Sequence, residues 1–139
     1  MPYQSEVEVV GQLLAEVAKK EGKYKVDAYG FVVFGISELI FSKNKDPKQK
    51  KPFKIDQREM LQWLRLYGWY RFGPLAGHVF EFWKVKGSPD FFTIIEHLLD
   101  HGIIDNKFLT SKFSKSYAAA EFDFSDYTTP EFYNAFGSV

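Results

Sequence analysis

The stretch Arg71–Ile104, RFGPLAGHVFEFWKVKGSPDFFTIIEHLLDHGII, constrains the fold more than any other part of the chain. Gly73-Pro74 ends one helix and opens the next, because proline is tolerated in a first helical turn, where its missing N–H has no intrahelical partner anyway. Leu75, Val79, Phe82 and Trp83 recur at helical spacing and predict one buried face. Gly87-Ser88-Pro89-Asp90 stops that helix and starts another, with Ser88 as N-cap, Pro89 at the first position and Asp90 in the positive first turn. Phe91, Ile94, Ile95, Leu98 and Leu99 form its apolar face. Gly102 stands where a left-handed C-cap is wanted, with Ile103 in place for the accompanying apolar contact. The pattern is a tight helix–turn–helix pair onto which the rest of the chain packs.

The remaining elements read as follows. Ser5 and Glu8 make a capping box for a helix over Glu6–Glu21, with Val7, Val10, Leu14 and Val17 inward and Leu13 widening the stripe. Asp27 caps a second helix, with Val26 and Phe31 as a hydrophobic staple and Tyr29, Val32, Val33, Ile36, Leu39 and Ile40 as its apolar face. Its β-branched residues favour a strand, but its length and lack of alternation favour a helix. Gly30 and Gly35 weaken that helix or allow close packing. Residues 43–54 are a polar loop holding Pro47 and Pro52. Asp56 and Glu59 form a capping box for a third helix, with Ile55 and Met60 as staple. Met60, Leu64, Tyr67, Trp63, Leu66, Trp69 and Tyr70 make that helix apolar almost all round, which predicts the most buried element. After Gly102, Ile103-Ile104, Phe108-Leu109 and Phe113 around Asp105-Asn106 are compatible with a small hairpin, as in a winged-helix wing. The expected architecture is mainly α, about five helices around a helix-turn-helix-like core with a possible C-terminal β-hairpin. Residues 1–124 are one domain; 125–139 are an acidic–aromatic tail, docked or flexible.

A chain of 139 residues without cysteine has neither a disulfide scaffold nor a thiolate zinc site, which suits a reducing cytoplasm. No signal peptide and no membrane span is expected. The net charge is +0, but unevenly spread. Lys43–Lys54 holds six lysines and one aspartate. Tyr117–Val139 holds Glu121, Asp123, Asp126 and Glu131 and no Lys or Arg.

The chain resembles an uncharacterised family of small bacterial proteins described from Planctomycetes and Verrucomicrobia. The resemblance runs through Ala28-Tyr29, Phe31-Val32, Arg71-Phe72-Gly73-Pro74-Leu75-Ala76, Val79, Trp83, Val85, Asp90-Phe91, Ile94, Gly102-Ile103-Ile104 and Phe122-Asp123-Phe124. It covers most of the chain and implies a shared fold unit but no activity. The lysine loop, His97 and His101 depart from the family pattern.

Function is to be sought in two places. Lys43, Lys45, Lys48, Lys50, Lys51 and Lys54, with Arg58, offer a partner or phosphate contact, and exposed Phe53, Tyr67 or Trp69 would stack on bases. Phe122, Phe124, Tyr127, Phe132, Tyr133 and Phe136 make the tail a contact segment for a partner or for the domain itself. His97 and His101, one helical turn apart, have the spacing of two zinc ligands. Leu98 stands where the zincin pattern has glutamate, so no metal site is assigned. His78 reads as a surface residue. Glu81, Asp90, Glu96 and Asp100 read as exposed or first-turn acids, and no serine elbow or phosphate-binding loop is present. No catalytic residue and no cofactor is expected. The leading expectation is a non-enzymatic protein–protein interaction module, and the alternative is a winged-helix-like nucleic-acid binder using residues 43–54. The scaffold helix after Ser88 lacks Lys and Arg up to Gly102, a poor surface for phosphates.

Overall fold

The structure, a computed structural model, describes residues 2–110 and Tyr127, with side chains from Glu8 onward. Among these residues it is mainly helical and contains no strand. Helix α1 spans Pro2–Glu21. It starts earlier than the Ser5 cap predicts, with proline at the position where it is best tolerated; the Ser5 side chain, and Val7 with it, lie outside what is described. Leu14 and Val17 are buried, and Gly22 at φ +67° ends the helix. Leu13 does not widen the buried stripe but is 42% exposed. It lies about 100° round the helix from Leu14, and among the described elements α1 packs chiefly on α2 and α5.

Helix α2 spans Val26–Lys45. Its N-cap is Lys25, which makes no side-chain cap, so Asp27 is a first-turn acid rather than the cap. The C-terminal end overruns the expected loop, so Lys43, Asn44 and Lys45 are helical. Apolar residues spread round α2 because it meets α1, α3 and α5. Helix α3 spans Gln57–Phe72. Asp56 caps it as predicted, accepting from the Glu59 N–H at 2.8 Å. The Glu59 carboxylate pairs instead with Lys43, 2.6 Å away, and this ties the end of α2 to the start of α3.

Gly73–Leu75 form a 3-10 turn, and helix α4 spans Ala76–Phe82. Of the predicted face, Trp83 is buried and Val79 packs half-buried against the core. Ala76 and Phe80 point inward, whereas Leu75 and Phe82 are 63% and 71% exposed. At its end the Val85 N–H reaches the Phe80 carbonyl at 2.8 Å and the Lys84 N–H reaches that of Glu81 at 2.9 Å. This is the closing motif that favours glycine at its left-handed position, yet that position is Lys84, at φ +69°.

Helix α5 spans Ser88–Asp100, with Gly87 rather than Ser88 at the cap position and Asp90 in its first turn. Phe91, Ile94, Ile95 and Leu98 are buried as their spacing predicts, together with Phe92 and Thr93. The Gly102 termination is also as predicted: φ is +71°, and the Ile103 N–H bonds to the Leu98 carbonyl at 2.9 Å. The most buried helix is α5, with seven buried residues in thirteen, and not α3, with five in sixteen. Helix α3 lies at the edge, where Tyr70 is 74% exposed.

The hairpin expected after Gly102 is absent among the described residues. Asn106–Phe108 form a 3-10 turn capped by Asp105. Leu109 then makes a single parallel bridge to Ile55 across two hydrogen bonds, Ile55 N–H to Phe108 O at 2.7 Å and Thr110 N–H to Ile55 O at 3.1 Å. Phe113 lies outside the described residues. No helix among them is long and apolar enough to cross a membrane.

Candidate functional site

The lysine segment is only partly available. Lys43 is held between Glu59 and the Gln49 side chain, 3.1 Å away, and lies over the buried ring of Phe53. Lys51 donates to the Asn44 carbonyl, and Lys45 lies over the exposed ring of Phe41. Lys48, Lys50, Lys54 and Arg58 are exposed. The aromatics proposed to stack on bases do not join them: Phe53 and Tyr67 are buried, and Trp69 is half-buried in the core.

Of the tail residues, Tyr127 is the one that is described. It is fully buried, its hydroxyl donates to the Arg65 carbonyl at 2.9 Å, and its ring packs 5.8 Å from Phe80. Gly68 makes this possible, since a Cβ there would stand 2.8 Å from both the Tyr127 hydroxyl and the Phe80 ring. Tyr127 therefore plugs the seam between α3 and α4. Phe122, Phe124, Phe132, Tyr133 and Phe136 lie outside the described residues.

His97 and His101 meet a residue that the sequence does not nominate. The Glu21 carboxylate at the end of α1 accepts from His101 Nε2 at 3.0 Å and faces His97 Nε2 at 3.4 Å. On the far side of the His97 ring, the Tyr29 hydroxyl is 2.8 Å from Nδ1. The hydrogen bond from His101 holds Glu21 below its usual carboxylate range, and burial pushes Tyr29 up to about 12. Nearby, the Tyr24 hydroxyl donates to Asp90, whose other oxygen accepts from the Lys86 N–H at 2.7 Å. Burial, then that bond, raises Tyr24 far above its usual value. Asp90 is thus a tied structural acid rather than a free one. The two clusters fasten α1 and the α1–α2 turn to α5. Among the described residues, no group of three or more His, Asp or Glu side chains is arranged to hold a metal ion. His78 is exposed, as expected.

The feature that sequence reasoning missed is a groove of about 420 Å³ between α1, α2, α3 and the end of α4. Its floor is a cluster of rings: Phe31 lies 6.0 Å from Phe72 and 5.7 Å from Trp83, and Phe72 and Trp83 are 5.6 Å apart. Gly11 and Leu14 form the α1 wall, Val26, Gly30 and Phe34 the α2 wall, and Tyr67 with Arg71 the α3 wall. On the rim, Phe34 is 50% and Val26 39% exposed. Phe82 lies close by, with the Lys25 ammonium over its ring. Arg71 donates to the Tyr67 hydroxyl at 3.1 Å and lies over the same ring, so its guanidinium is held in place.

Two helical glycines line this groove without a packing reason. Among the described residues, a Cβ on Gly11 meets nothing within 4 Å, and one on Gly30 meets only Leu14 at 3.9 Å. Each costs its helix roughly 0.5–1 kcal/mol relative to alanine. Gly35, by contrast, faces Tyr67 and Leu64 at 3.0 and 3.2 Å. The signal in the sequence was therefore the pair Gly11 and Gly30 on neighbouring helices, and recognising it needed the helix pairing. The chain matches no known family model, no curated protein and no solved structure.

Proposed function

We propose that this chain is a non-enzymatic protein–protein interaction module and that the aromatic groove between α1, α2, α3 and α4 receives the partner. The observation that carries this is the position of two of the large exposed apolar side chains, Val26 and Phe34, over a floor of aromatic rings. Both are groove walls rather than scattered surface residues. Apolar side chains left to water around a concave aromatic floor are the usual build of a surface that another polypeptide covers.

The test is a comparison of tagged full-length protein with its Phe34→Asp variant, both shown to be folded by circular dichroism. A partner polypeptide should be recovered by the first and lost with the second. Identical recovered sets from the two forms sink this function. The alternative, nucleic-acid binding, draws on the exposed Lys48, Lys50, Lys54 and Arg58. It requires measurable DNA or RNA binding at about 50 mM salt that weakens steeply as salt rises.

A further inference from the structure

We infer that the groove takes a peptide segment in which an aromatic side chain is followed or preceded closely by a carboxylate, the ring entering beside Gly11 and Gly30 and the carboxylate pairing with Arg71. This inference rests on the interaction-module function just proposed and specifies the partner's chemistry.

Three independent features lead to it. First, the space has a shape. Gly11 and Gly30 leave room on facing helices that none of the described residues fills, and the room opens onto the rings of Phe31, Phe72 and Trp83. An aromatic guest gains both apolar burial and edge-to-face contact there. Second, the charge is placed. Arg71 carries five N–H donors in a planar fork, and its hydrogen bond to Tyr67 fixes the fork at the groove wall. The geometry matches a carboxylate better than any neutral acceptor. Lys25, next in the chain to the rim residue Val26, adds a second cation nearby, against the single groove carboxylate of Asp27. Third, the groove has length. Val26 and Phe34 lie eight residues apart on α2, about 12 Å along its axis. A small ring-bearing acid would leave one of them uncovered, whereas a peptide reaches both.

A suitable probe is a fluorescent twelve-residue peptide, TTPEFYNAFGSV, identical to residues 128–139, which places a glutamate directly before an aromatic pair. Anisotropy titration against the full-length protein should give saturable one-to-one binding. Arg71→Gln in the protein and glutamate-to-glutamine in the peptide should each weaken binding at least about fivefold, and the two changes together should cost little more than either alone. Gly30→Leu, which fills the room, should weaken binding by about tenfold or more.

Lack of saturation up to about 1 mM peptide overturns the inference, as does binding indifferent to both Arg71→Gln and Gly30→Leu. A concentration-dependent dimer abolished by Phe34→Asp makes a second copy of the chain the occupant and also overturns it. So does a rise of about tenfold or more in peptide affinity when residues 128–139 are deleted, which makes the chain's own segment the occupant. Partner recovery that depends on Phe34 while the peptide fails to bind leaves the interaction function standing and removes only this inference.

Discussion

The seam between α3 and α4 and the groove between α1 and α2 both depend on glycine in the middle of a helix, but they use it in opposite ways. At the seam, Gly68 is filled from outside. Phe80 and Tyr127 press onto it so closely that a methyl group would have no place. In the groove, Gly11 and Gly30 face open space among the described residues, above rings of which Phe31 and Trp83 are buried. One site is finished by the chain itself, and the other is left open by the described residues. A glycine that packing demands is structural; a glycine that costs stability and packs against nothing points to something that comes and goes.

Substitutions can break this contrast. The largest effect should come from Phe80→Ala. Its ring is buried against Phe31, Trp83, Phe91 and Tyr127, and its loss should cost about 3–5 kcal/mol in denaturant unfolding. Gly68→Ala should cost about 1–3 kcal/mol, because overpacking forces Phe80 or Tyr127 out of position. Gly30→Ala and Gly11→Ala should move the other way, each raising stability by up to about 1 kcal/mol. If Gly68→Ala and Gly30→Ala shift the unfolding midpoint in the same direction, the distinction between the two sites fails.

Smaller effects sharpen the picture. Lys84→Gly should raise the unfolding midpoint by a few tenths of a kcal/mol up to about 1, since glycine adopts the left-handed conformation of that residue without strain. Glu21 gives a pH dependence. Its carboxyl group titrates lower in the folded chain than in the unfolded one, so it contributes stability above the ordinary carboxylate range. That contribution disappears as pH falls through the lowered folded value. Glu21→Gln should therefore be less stable than the parent at neutral pH, and the two should converge in acid. A gap between their melting temperatures that stays constant from pH 7 down to pH 3 excludes this role for Glu21.

Local rules made much of the fold legible. The Asp56 cap, the Gly102 termination and the buried face of α5 follow from signals within one or two turns, and each is present. The errors arise where a distant contact decides. The extent of α2 depends on Lys43 finding Glu59 across a loop. Leu109 pairs with Ile55, far back in the chain. Helical periodicity shows that a face is apolar, but not which of two neighbouring helices covers it. For the same reason the groove was invisible. Its eleven lining residues come from four elements, and its most telling members are two glycines, which carry no chemistry of their own.

The Tyr127 plug also has a consequence in time. Its hydrogen-bond partner, Arg65, lies 62 residues earlier. At the usual synthesis rate of roughly 5–20 residues per second, that gap corresponds to roughly 3–12 s. For the last 27 residues of that gap, after α5 has ended at Asp100 and for roughly 1–5 s, the nascent chain can assemble α1 to α5, but the notch over Gly68 has nothing to fill it and the Phe80 ring is bare on that side. A chaperone that reads exposed aromatic surface has a window on this protein that closes when the ribosome delivers one tyrosine.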